Sequence, residues 1–249
     1  MTEILAMKMV ALLAGMLALS ACAQSGADRA ARGGGPSLRV ADVALSEGMA
    51  ETALNVTRGI LDRDPNNVAA LVRQGAALAA LGQTDASAEA FRRALKADPG
   101  SAAAGLGLGR AELMAGRPAE AEAALRAAAK ASPHDTRIRN NLGIALDLQG
   151  RHGEAQAEYA AALEANPAAA PTQANMGLSL ALSGAGQQSV SILRPLAQDP
   201  GASRRTRHGL AVALTMAGER EEAGRLLRQD LAHEEVAAAL DGFQALRAR

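Results

Sequence analysis

Residues 136–167 read TRIRNNLGIALDLQGRHGEAQAEYAAALEANP. Gly150 near the middle can take the left-handed conformation that ends a helix, where a β-carbon would be penalised. Pro167 cannot continue a helix, and Asn166 before it suits a turn. Gly143 and Ala155 are small enough for the two intervening segments to approach closely. The stretch therefore predicts a pair of closely packed helices joined at Gly150.

The same punctuation recurs along the chain. Prolines fall at Pro65, Pro99, Pro133, Pro167 and Pro200, with separations of 34, 34, 34 and 33. Glycines fall at Gly48, Gly82, Gly116, Gly150, Gly184 and Gly218, every separation being 34, and Gly75, Gly109, Gly143 and Gly177 keep the same period. Small residues follow it too: Ala53, Ser87, Ala121, Ala155, Ser189 and Ala223. Three series in phase make the chain a stack of helix pairs, which together bury a core that no single pair buries alone.

A 34-residue period with this pattern resembles the tetratricopeptide repeat, W-x2-L-G-x2-Y, then A-x3-F, then P. In the quoted unit the matching residues are Leu142, Gly143, Leu146, Ala155, Tyr159 and Pro167; Leu108, Gly109, Ala121, Leu125 and Pro133 match in the unit before, and Met176, Gly177, Leu180, Ser189 and Leu193 in the unit after. No unit has Trp at the Trp place. The resemblance implies an all-α, right-handed superhelical solenoid of about six repeats over residues 37–229. The first unit is degenerate, with Ala41 at the Gly place, and the sixth lacks the closing Pro; end units are expected to be atypical because they present a polar outer face. Val236, Leu240, Phe243 and Leu246 recur at helical spacing, so residues 230–249 are read as a capping helix.

The fifth unit is irregular. Gly184 to Gly218 keeps 34 residues while Pro167 to Pro200 has 33, and Pro195 falls inside the expected second helix. A proline there removes a hydrogen bond and clashes with the preceding turn, at about 3 kcal/mol, which predicts a kink. Pro118, just after Gly116, occupies a tolerated first-turn position.

Composition narrows the function. The 249 residues carry 26 Lys and Arg against 26 Asp and Glu, which gives no bulk basic excess for nucleic acid. Two Phe, one Tyr and no Trp leave little of the contact area from which small-ligand pockets are built. Gly105, Gly107 and Gly109 imitate a dinucleotide loop but follow no strand and are read as packing glycines. His134, His152, His208 and His233 lie in different units or at turns, without metal-ligand spacing. Ser residues in GLSLALSG sit in a helix and not a nucleophile elbow. With repeats over nearly all of the chain, the reading is a non-enzymatic binding protein with no cofactor, metal or small-molecule substrate.

The first residues have a separate character. Met9 to Leu19 is an apolar run of eleven, too short to span a bilayer and suited to a signal-peptide core. Leu19, Ser20, Ala21 and Cys22 resemble a bacterial lipobox, which implies a leader over 1–21 and a triacylated Cys22, the only cysteine of the chain. Three acyl chains make a stable anchor. Ala23 in place of Asp favours the periplasmic face of the outer membrane. Residues 1–6 contain Glu3 and no positive charge, whereas Met7 stands directly before Lys8 and the apolar run, so Met1 and Met7 are both candidate starts and Met7 gives the more usual leader. Residues 22–36 are small, polar and Gly-rich, the composition of a flexible tether.

In the repeat family the concave groove is lined from the second, fifth, sixth and ninth places of the first helices. Those places here hold Arg137 and Arg205, Asn140 and His208, Arg73, Asn141 and Asn175, and Arg110. Asn amides at the sixth place of related repeats hold an extended peptide through paired donor and acceptor bonds, and the arginines favour carboxylates. The lipobox, the Gly-rich tether, NNLGIALDLQGRHGEA, NMGLSLALSG and RRTRHGLAVAL followed by RQDL together resemble the lipoproteins of the tight-adherence (Flp) pilus assembly system, TadD type. That resemblance implies protein partners in the pilus secretin and its associated machinery. A pilotin or outer-membrane-protein assembly lipoprotein, and a periplasmic regulator of a cell-envelope enzyme, are built from the same parts.

Overall fold

The computed structural model describes residues 35–246, with side chains over 38–245. The expected leader, Cys22 and the tether up to residue 34 lie outside the described residues. Thirteen α-helices, and no strand, occur among those described: α1 Gly35–Ser46, α2 Ala50–Leu61, α3 Val68–Ala80, α4 Thr84–Ala97, α5 Ala102–Met114, α6 Pro118–Ala131, α7 Thr136–Asp147, α8 His152–Ala165, α9 Ala170–Leu182, α10 Gly186–Gln198, α11 Arg204–Met216, α12 Arg220–Leu227 and α13 His233–Leu246. They form six pairs and a closing helix. Each second helix packs on its own first helix and on the next, and neighbouring first helices touch along one side of the stack.

Local chemistry explains the boundaries. Gly150 joins α7 to α8 at φ +74, and its five equivalents lie between +72 and +90, the only positive φ values among the described residues. Side chains of Asn67, Ser101, Asp135 and Ser203 cap α3, α5, α7 and α11 by accepting a bond from a first-turn amide. Pro118 opens α6 without penalty.

Inside the second to fifth pairs the approach is close enough to require glycine. A β-carbon on Gly143 would stand 2.5 Å from the Tyr159 ring, and one on Gly109 would stand 2.4 Å from Leu125. Gly105 and Gly107 are packing positions within α5: their β-carbons would meet Ala128 at 2.8 Å and the Phe91 ring at 2.2 Å. Where the twentieth place is Ser, its hydroxyl donates to the facing glycine carbonyl, Ser87 to Gly75 at 2.8 Å and Ser189 to Gly177 at 2.5 Å. Beyond the sixth pair, α13 buries Val236 and Leu240 in the cluster of Leu210, Leu214 and Leu227, with Phe243 at its edge.

The kink expected at Pro195 is not present as a break: α10 runs uninterrupted from Gly186 to Gln198. Pro195 lies four residues from the end of the helix, and both it and Ser191, whose carbonyl loses its partner, are exposed to water. The missing residue is taken from the end of α10, which has 13 residues where α4, α6 and α8 have 14. The turn over 199–203 is correspondingly one residue longer than that over 166–169, so α11 starts back in phase.

Asp230 ties the connection after α12 to α11. Its carboxylate accepts from Arg207 Nη2 at 2.6 Å and Nε at 2.9 Å. Those bonds, with the charges of Arg207, Arg204 and His208, hold its pKa below the usual aspartate range. A depressed folded pKa contributes stability above the unfolded value of about 3.9 and loses it as pH falls through the folded value. Asp230→Asn is therefore expected to lower the melting temperature at neutral pH, with the deficit shrinking below about pH 4; an unchanged deficit in acid would discount the ion pair. Gly143→Ala should cost about 1–3 kcal/mol in urea unfolding through overpacking against Tyr159. Gly59→Ala, exposed in α2 with nothing within 4 Å, should instead stabilise by about 0.5–1 kcal/mol.

Candidate peptide-binding groove

The first helices from the third unit onward share a concave side with three adjoining hollows. One of about 280 Å3 is lined by Leu106, Arg110, Thr136, Arg137, Asn140, Asn141, Ala169, Pro171 and Thr172. It shares Asn140 and Pro171 with one of about 560 Å3, which adds Ile144, Ala174, Asn175, Leu196, Asp199, Ser203, Arg205 and Thr206. Arg205 in turn borders a third, of about 440 Å3, with Leu178, His208, Val212 and Phe243. The three hollows follow one another along α5, α7, α9 and α11, neighbours sharing lining residues.

Three of the sequence-predicted residues form a ladder along this channel. Arg205 Nη2 donates to Asn175 Oδ1 at 3.2 Å, and Asn175 Nδ2 donates to Asn140 Oδ1 at 3.0 Å. Arginine can only donate, so it turns the Asn175 oxygen toward itself and the Asn175 amide toward Asn140. Each asparagine oxygen accepts one bond within the ladder and keeps one lone pair, and the Asn175 amide keeps its second N–H. Asn175 thus retains one donor and one acceptor position, the set that the expected paired bonds to a peptide backbone require. Asn141 does not join: its amide folds back onto the Arg137 carbonyl at 2.7 Å.

The remaining residues divide between groove and scaffold. Arg110 is exposed in the first hollow and has no carboxylate within ion-pair distance among the described residues. Arg137 shares that hollow but is paired to Asp135 at 2.7 Å, which holds the Asp135 carboxyl below its usual range. Arg73 lies outside all three hollows, gripping Asp42 through bonds of 2.7 and 2.8 Å that stitch α3 to α1. His208 lines the third hollow; its Nε2 is buried, lies 3.6 Å from Asp230 Oδ2 and has no hydrogen-bond partner.

Several lining residues escape the sequence pattern. Leu196 occupies a place where Ala94, Ala128 and Ala162 are fully buried in other units; here the larger side chain is only half-buried and walls the central hollow. The 33-residue proline separation marks this corner in the sequence without saying that it opens into the groove. Phe243, expected to cap the last pair, also borders the channel.

The lone tyrosine is structural. Tyr159 donates to Asp147 Oδ2 at 2.9 Å, while Asp147 Oδ1 is 2.8 Å from His152 Nδ1 and 2.7 Å from the Ser179 hydroxyl. Burial, then the Asp147 charge, pushes its phenol well above the usual range. Among the described residues no group of three or more His, Cys, Asp or Glu is placed to hold a metal ion.

Tetratricopeptide-repeat profiles match residues 38–102, 78–140 and 112–176. No curated protein matches the chain. Among solved structures, that of Pseudomonas aeruginosa pilF is similar with a TM-score of 0.70 and 20% identity, covering 88% of this chain and 99% of its own. The MamA protein is similar with a TM-score of 0.57 and 21% identity over 79% and 94%. YrrB, described as a TPR protein with an unusual peptide-binding site, is similar with a TM-score of 0.56 and 18% identity over 76% and 94%. With matching profiles over more than half of its length and the helix pairs in register, the chain belongs to the tetratricopeptide-repeat family.

Proposed function

We propose that this protein is a lipid-anchored scaffold whose channel holds an extended, carboxylate-bearing segment of a protein partner during assembly of a tight-adherence pilus machine. The observation that carries the binding reading is the ladder of Asn140, Asn175 and Arg205. The Arg205 guanidinium is donor-only and the asparagines keep spare N–H groups beside one lone pair each, so the ladder suits an extended backbone and, through its arginine, acidic side chains. Arg110 adds an uncompensated positive charge at one end of the channel. The peptide-binding site ascribed to YrrB supports the ligand class for a solenoid of this kind.

Placement and pathway rest on the sequence. The Leu19–Cys22 lipobox and Ala23 support an anchor on the periplasmic face of the outer membrane, and the tight-adherence resemblance supports a secretin or its associated components as the partner. No catalytic step is assigned, and both family matches are to an interaction repeat.

Photo-crosslinking in cells from position 174, within the central hollow, should capture a component of the pilus machine; capture of an outer-membrane-protein assembly factor or an envelope hydrolase would replace the pilus assignment. Arg205→Ala, which also releases Asn175, should weaken that partner about ten- to a hundredfold, the scale of a charge-assisted hydrogen bond, whereas Asn141→Ala should leave it nearly unchanged. Equal effects from the two would sink the ladder reading. Cys22→Ser should move the protein out of the membrane fraction.

A further inference from the structure

The outward face of the first unit is unlike its counterparts. At the tenth place of the repeat, units two to six carry Ala77, Ala111, Ala145, Ser179 and Ala213, each at most 1% exposed. The first unit carries Val43, 58% exposed. Three residues earlier Val40 is 51% exposed, at a place where Leu142 and Leu210 are buried in clusters shared with the preceding unit. At the sixteenth place Arg117, Arg151 and Glu219 form ion pairs back to Asp85, Glu122 and Arg194 of the preceding unit. The first unit has Met49 there, 49% exposed. Places that elsewhere meet a predecessor are thus apolar and, among the described residues, uncovered, around a shallow hollow of about 390 Å3 that Arg39 and Thr52 also border. The polar outer face expected of an end unit is absent at this end.

Bulk and chemistry decide what covers it. Within the stack the tenth place is Ala or Ser, the size that close helix packing accepts; Val43 holds a rigid helix away. Met49 offers no hydrogen bond to the charged groups that a preceding unit presents. A further repeat or a second copy is therefore poorly matched, whereas a deformable apolar phase needs neither shape nor hydrogen-bond complementarity. Residues 23–34 contain no apolar side chain larger than alanine, so the tether is no substitute. Cys22 stands thirteen residues before Gly35, a reach of at most about 45 Å.

We propose that Val40, Val43 and Met49 seat the first unit on the bilayer that holds the acyl chains of Cys22, an inference that rests on the lipid-anchor reading. Three side chains bind a membrane weakly by themselves, but a short tether presents them to the surface at high effective concentration. Exposed Glu47 and Glu51 flank Met49 in the sequence and keep the contact shallow. Seated this way, the first unit is at the surface and the ladder of units four to six is at the far end of the stack.

The test uses the full-length lipidated chain in vesicles of phosphatidylethanolamine and phosphatidylglycerol, with Val43→Cys or, as a control on α6, Glu120→Cys. Each variant carries an environment-sensitive fluorophore on its only unacylated thiol. Flotation with the vesicles reports the anchor. The label at 43 should then be quenched several-fold more by nitroxide lipid than the label at 120, and adding Val40→Asp should return it to water without loss of flotation. Floating protein whose label at 43 is as open to aqueous iodide as that at 120, or whose unlabelled Val43→Cys form gives disulfide-linked pairs on oxidation, would overturn the seat while leaving the anchor intact. Protein that fails to float would overturn the anchor, and the seat with it.

Discussion

The contact on which this structure depends is the one inside the second to fifth helix pairs, where a glycine of the first helix lies against a large apolar side chain of the second. Gly75 faces Phe91, Gly109 faces Leu125, Gly143 faces Tyr159 and Gly177 faces Leu193, each at a distance that leaves no space for a β-carbon. Phe91 also fills the space over Gly107 of the next unit, so one ring fixes spacing both within and between pairs. Two of the three aromatic residues of the chain, Phe91 and Tyr159, are placed at these contacts. The scarcity of aromatics follows: in a stack spaced by Ala and Gly, a large ring fits where glycine has cleared room for it.

Charge is divided between the stack and the channel. The net charge is zero, yet the carboxylates are heavily committed to holding units together: Glu112 takes Arg92 and Arg117, Glu122 takes Arg126 and Arg151, and Asp230 takes Arg207. In each pair the carboxylate is buried or nearly so while its arginine is partly exposed, so removing the arginine would leave a carboxylate uncompensated. Their consequence is spatial, because Arg110 and Arg205 are left facing the groove with no carboxylate at ion-pair distance among the described residues. A neutral chain thereby acquires a donor-rich channel.

The irregular fifth unit shows how a small change in the repeat shapes that channel. One residue fewer in α10 and one more in the following turn preserve the phase of α11, so the ladder to Arg205 is intact. The half-buried Leu196, with Asp199 and Gly201 to Ser203, then walls the central hollow. Pro195 is accommodated because its lost hydrogen bond falls near the end of an exposed helical turn, where water can satisfy the carbonyl.

Much of the architecture was legible in periodicity. Gly150 and its equivalents end helices for a reason confined to their own φ angle, and the 34-residue spacing of Gly143 and Ala155 carries the close approach of a pair. The polar places of the first helices were also legible, because the repeat period determines which side of a helix each residue occupies. What periodicity did not carry was partner choice among those polar groups. Asn140 and not Asn141 joins Asn175, Asn141 turns back on its own helix, and Arg73 is spent on Asp42, because each bond depends on the distance between side chains of neighbouring units. The sequence by itself determined the helix pairs and their order, through local backbone conformation and side-chain size. The tertiary structure decided which hydrogen-bonding atoms remain free in the groove and which apolar places of the first unit remain uncovered, since both depend on what the adjoining unit supplies or fails to supply.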